Sequence, residues 1–67
     1  MTRISVQTLD DVDSRVAIAE FAPGDLPAVP NIGDEITFLE AREIVSKRVA
    51  GRDFSFVAND LSITLFY

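Results

Sequence analysis

The sequence predicts an all-β protein of five to six short strands, folded as a small barrel or as a two-sheet β-meander. Three observations point there. Apolar residues recur at every second position over short segments, clusters of Asp, Asn, Pro and Gly punctuate those segments, and the C-terminal stretch is β-prone and uncharged. The 67 residues predict one domain over 1–67, near the size at which only about 60% of the unfolded chain's surface can be buried. Its expected parts are an acidic hairpin over 1–22, a connection over 23–34 and a meander over 35–67.

Arg3 to Leu9 alternates through Ile4 and Val6, as a half-buried strand does. Asp10, Asp11, Asp13 and Ser14 supply turn-forming side chains, and Arg15 to Phe21 resumes β-prone sequence, so the two runs predict a hairpin. Ala22-Pro23-Gly24-Asp25 is read as the turn that closes it. The stretch Leu26 to Glu35 then carries two prolines, a glycine and an Asp-Glu pair. Proline fixes φ and lacks an N–H, while glycine permits positive φ, so the strand pattern has to restart beyond it.

Glu35 to Leu39 restarts it, with Ile36 and Phe38 on one face. Arg42 to Val49 is read as the next strand, against a competing ββαββ arrangement with a helix at about 35–50. Asp34 would cap that helix, Lys47 and Arg48 would sit near its C-terminus and Gly51 would stop it. The strand reading is preferred because Arg42 intrudes on the face that Phe38, Ala41, Val45 and Val49 would share, while Ile36 and Leu39 point away. Phe54-Ser55-Phe56 and Leu61 to Tyr67 flank Asn59-Asp60 as a last hairpin. Leu61, Ile63, Leu65 and Tyr67 fall on one face and Ser62, Thr64 and Phe66 on the other. Ser62 to Tyr67 has no charge and no proline, so it is expected at the centre of a sheet or across an interface.

Charge and composition bound the function. Eleven acidic against six basic residues give a net charge of −5 and a pI near 4.3. The asymmetry is stronger than the total, with −6 over residues 1–40 and +1 over residues 41–67. General nucleic-acid binding, which rests on a basic footprint, is disfavoured. The chain contains neither histidine nor cysteine, so the serine–histidine and thiol mechanisms and imidazole or thiolate metal sites are absent. No cofactor and no catalytic residue is expected. The N-terminus has no basic run followed by an apolar core, and no apolar stretch approaches the roughly 18 residues of a membrane span. A cytoplasmic protein is expected, in the bacterial host cytoplasm if phage-encoded.

Candidate sites are few. Asp10, Asp11 and Asp13 gather carboxylates without the glycine and glutamate of an EF-hand loop, so a solvated turn or an acidic interaction patch is the reading. Arg42, Lys47, Arg48 and Arg52 form the basic cluster, split between faces if residues 42–49 are a strand. Core packing is the expected role of most aromatics. Phe66, on the polar face of the last strand, is the expected exception and a candidate interface anchor. Twenty-five positions carry Val, Ile, Leu, Met, Phe or Tyr, a surplus for so small an interior, and a homodimer is one way to bury it.

Val29-Pro30-Asn31-Ile32-Gly33-Asp34-Glu35-Ile36, followed by Ile44-Val45-Ser46-Lys47-Arg48 and a terminal hairpin, resembles the lead-in of small SH3-like β-barrels found as short uncharacterised bacterial and phage proteins. The resemblance covers residues 29–67 and implies a barrel but no activity. It implies that Gly33-Asp34 starts a strand and that a tight, often glycine-bearing turn follows; here Glu40-Ala41 stands at that turn. The reading favoured by the residues is a small acidic, non-catalytic protein-interaction module that forms a homodimer or binds a protein partner. The alternative is a phage or mobile-element inhibitor of a host defence or nucleic-acid-processing complex, its acidic half imitating a phosphate backbone. A nucleic-acid-binding barrel using Arg42, Lys47, Arg48 and the aromatics ranks third.

Overall fold

A computed structural model describes residues 1–22, 25 and 28–67 of the chain. Its strands are β1 (Thr2–Thr8), β2 (Asp11–Phe21), β3 (Glu35–Glu40), β4 (Glu43–Arg48), β5 (Gly51–Val57) and β6 (Asp60–Phe66). The fold is all-β, and the described residues hold no helix. A four-stranded sheet has the order β2-β1-β6-β5, and β3 pairs with β4 alone. All neighbours are antiparallel except β1 and β6, which run parallel with Ile4 opposite Ile63 and Val6 opposite Leu65. The turn expected at Ala22 to Asp25 and the start of the connection rest on Pro23, Gly24, Leu26 and Pro27, which lie outside the described residues.

The last strand is central, as its apolar and uncharged sequence requires. Ile63 and Leu65 are 1% exposed and meet Ile4 and Val6 from β1. Ile36, Phe38 and Val49 complete this cluster from the β3–β4 side, with Ala19, Phe21, Val29, Val45, Leu61 and Tyr67 packed at its margin. One core therefore draws on both halves of the sequence. Thr2, Ile4 and Val6 turn one face of the sheet inward, while Arg3, Ser5 and Gln7 share the other face with Ser62, Thr64 and Phe66. That second face is polar and tied: Arg3 bridges Glu20 at 3.0 Å, and Arg15 Nε donates to Gln7 Oε1 at 3.0 Å. Among the described residues no buried side-chain nitrogen or oxygen lacks a partner.

The helical alternative for residues 35–50 fails for a packing reason. In the β3–β4 ladder Phe38 lies opposite Val45 and Ile36 opposite Lys47, so one alternating face meets the core. A helix would have turned Ile36 away from it, whereas Leu39 faces outward in the strand as well. Glu40 pairs with Glu43 across a two-residue turn, and both turn residues are left-handed, Ala41 at φ 49° and Arg42 at φ 68°. Two positive φ values in succession are the signature of a type I′ hairpin turn. The tight turn is thus present one residue later than the Glu40-Ala41 position, without glycine.

Two further boundaries move. The first turn is Leu9-Asp10, and Asp11 to Ser14 already belong to β2. Irregular pairing there is filled by Ser14, whose hydroxyl accepts from the Thr8 N–H at 2.9 Å and donates to the Asp11 carbonyl at 2.7 Å. The expected continuous meander is broken as well. β4 leads into β5 through Val49-Ala50, yet the two strands belong to different sheets. Asp34 O accepts from Val49 N at 2.8 Å and Phe66 O accepts from Ala50 N at 2.7 Å, so consecutive residues serve the two sheets.

Candidate interaction surfaces

The basic cluster is dispersed by the fold. Arg42 occupies the β3–β4 turn and so cannot share a strand face with Arg48, while Lys47 and Arg48 lie at the far end of β4. Arg48 Nη1 donates to the Gly33 carbonyl at 3.0 Å and Arg52 Nη1 to the Pro30 carbonyl at 3.4 Å. Both arginines therefore hold the connection that enters β3. Lys47 Nζ lies 5.7 Å from the centre of the Tyr67 ring, within cation–π range. Three of the four cations have local structural partners.

The acidic cluster is held at the start of β2. Asp10, Asp11 and Asp13 are exposed, and Asp11 Oδ1 accepts the Asp13 N–H at 3.0 Å in a local turn. Among the described residues no group of three or more Asp, Glu, His or Cys side chains is arranged to hold a metal ion. No helix of the described residues is long and apolar enough to cross a membrane.

Phe66 sits on the polar face as its position in the alternation requires, but it is half-buried. It lies opposite Gly51, and a Cβ built on Gly51 would meet Phe66 Cδ2 at 3.7 Å and its Cβ at 3.8 Å. The ring covers the glycine of the neighbouring strand, a cross-strand contact that supplies the packing glycine lacks.

The unexpected surface is β5. Phe54 and Phe56, read from the sequence as core, are 44% and 76% exposed, and Val57 beside them is exposed. The register explains why. Phe54 is opposite Ile63 and Phe56 opposite Leu61, so their side chains point to the core side of the sheet. β5 is nevertheless the edge strand, and the core cluster gathers on β1, β6 and the β3–β4 hairpin. Arg52 shares that face with its guanidinium 5.4 Å from the centre of the Phe54 ring. The surplus of large apolar residues was the one sequence signal for such a surface; it gave no position.

The backbone of β5 is open on the same edge. Leu61 N donates to Met1 O and Tyr67 N to Gln7 O, so the odd-numbered residues of β6 address β1. The even-numbered ones therefore address Gly51, Asp53, Ser55 and Val57. Arg52, Phe54 and Phe56 are left with N–H and C=O groups directed outward. Among the described residues no other backbone hydrogen bond reaches them.

The other surfaces are weaker. Leu39 and Ile44 form an exposed cross-strand pair on the outer face of β3–β4, and a shallow open cleft lined by Ala17, Ile18, Thr37, Phe38 and Leu39 lies between β2 and β3. The β2 edge is interrupted by register shifts and carries Asp11, Asp13, Arg15 and Glu20, features that discourage strand pairing. Comparison with known proteins finds no matching family model, curated protein or solved structure.

Proposed function

We propose that the chain is a small SH3-like β interaction module, non-catalytic, that binds a protein partner by accepting an extended strand along β5. The observation that carries this reading is the coincidence, on one edge, of backbone groups at Arg52, Phe54 and Phe56 that are unpaired among the described residues with the exposed rings of Phe54 and Phe56. Strand addition draws affinity from the backbone ladder and selectivity from alternate side chains. Aromatic and arginine side chains are the residue types that anchor protein interfaces. The acidic surface fits a cytoplasmic module kept soluble by its charge.

Capture on the immobilised chain from an extract of the source cells tests it, with Phe54→Lys in parallel. A partner retained by the wild type and lost on Phe54→Lys is the expected result. The same set of proteins on both overturns the role of β5. The inhibitor reading keeps the exposed carboxylates of Asp10, Asp11 and Asp13 in play, and charge reversal there would abolish binding to a basic host complex.

A further inference from the structure

We propose that the strand accepted by β5 is β5 of a second copy, paired antiparallel about a two-fold axis through Phe54, so that two four-stranded sheets become one of eight. This deepens the interaction reading above and rests on it, naming the partner and the register. An axis perpendicular to the sheet sets Phe54 opposite Phe54 of the partner subunit, Arg52 opposite Phe56 of the partner subunit, and Asp53 opposite Ser55 of the partner subunit. Residues whose backbone groups point outward then meet each other, as a hydrogen-bonded antiparallel pair requires.

Charge selects this register from its neighbours. An axis at Arg52 would oppose two guanidinium groups, and an axis at Asp53 two carboxylates; like charges directly opposite destabilise a sheet. An axis at Ser55 leaves Gly51 and Arg52 without partners. With Phe54 at the axis all seven residues of β5 are paired, no like charges face each other, and each guanidinium meets an aromatic ring. Arg52 already packs on such a ring within its own subunit, 5.4 Å from the centre of Phe54.

Sedimentation equilibrium over a concentration series, on the wild type, Phe56→Lys and Phe56→Asp, tests the proposal. Position 56 is 76% exposed, so both variants keep the fold, which far-ultraviolet circular dichroism verifies. The wild type is expected to be dimeric. Phe56→Lys sets an ammonium against Arg52 of the partner subunit twice per dimer and weakens association about tenfold or more. Phe56→Asp faces the same guanidinium with a carboxylate and stays dimeric. A wild type that is monomeric throughout, or two variants that weaken association equally, overturns the proposal. If the wild type is monomeric while a captured partner is still lost on Phe54→Lys, β5 remains the docking strand and its occupant is another protein.

Discussion

The rings of Phe38 and Tyr67 lie 5.5 Å apart at an interplanar angle of 46°, joining the inner face of the β3–β4 hairpin to the last residue of the chain. Burial raises the Tyr67 phenol above its ordinary value, and the Glu40 carboxylate raises it further by its charge and by hydrogen bonding. Because the folded state favours the neutral phenol, this contribution to stability is whole below the unfolded value of about 10 and is lost as pH rises through the higher folded value. The chain has one tyrosine and no tryptophan, so phenolate absorbance reports Tyr67 alone. We expect a midpoint above 10. Glu40→Gln lowers that midpoint without restoring it fully, since burial is the larger cause; no change in Glu40→Gln would disprove the contact.

The β3–β4 turn holds two non-glycine residues in the left-handed region. For L-residues that conformation costs about 1–2 kcal/mol each, and type I′ turns prefer Asn-Gly. The double variant Ala41→Asn, Arg42→Gly should therefore stabilise the chain by about 1 kcal/mol, after the entropic cost of the new glycine. Thermal unfolding would register a rise of about 4–8 °C. An unchanged or lower midpoint would show that the turn is not strained.

Gly33 and Gly51 should respond differently to alanine. Gly33 has φ +96° and open space around its Cβ position, whereas Gly51 would place a methyl in ordinary contact with Phe66. Gly33→Ala should cost about 1–2 kcal/mol through backbone strain alone, and Gly51→Ala should lie within about 0.5 kcal/mol of the wild type. Urea unfolding of the two variants gives the comparison, and equal effects would contradict it.

Ile63 is 1% exposed at the centre of the four-stranded sheet. Ile63→Val should cost about 0.5–1.5 kcal/mol and Ile63→Ala about 2–5 kcal/mol. A domain of this length has a total stability on the order of 3–10 kcal/mol. The alanine variant should therefore lose a large share of that stability, read as a much lower urea midpoint, while the valine variant loses far less. An Ile63→Ala midpoint equal to that of the wild type would mean that β6 is not the core strand.

Much of the architecture was legible locally. Ile4 and Val6, Ile36 and Phe38, and Leu61, Ile63 and Leu65 alternate at the strand period, and a side chain's face follows directly from that period. The covering of Gly51 by Phe66 was not legible. It depends on which strands become neighbours, and the alternation of one strand does not specify its partner. The candidate site divides in the same way. Exposure of Asp10, Asp11 and Asp13 agrees with their place beside a turn, while the basic residues of 42–52 were separated by a turn position that glycine content did not reveal.

By itself the sequence determined a chain without imidazole or thiol, pointed to five to six strands with a helix at about 35–50 as the alternative, and marked a last strand too apolar to lie at an open edge. Tertiary structure decided the rest: that β1 lies parallel to β6, and that the edge position falls to β5. Parallel neighbours come from opposite ends of the chain, so no turn between them records the pairing. Whether Phe54 and Phe56 meet a core or open space depends on how far the β3–β4 layer extends over the sheet, and that is a property of two packed surfaces.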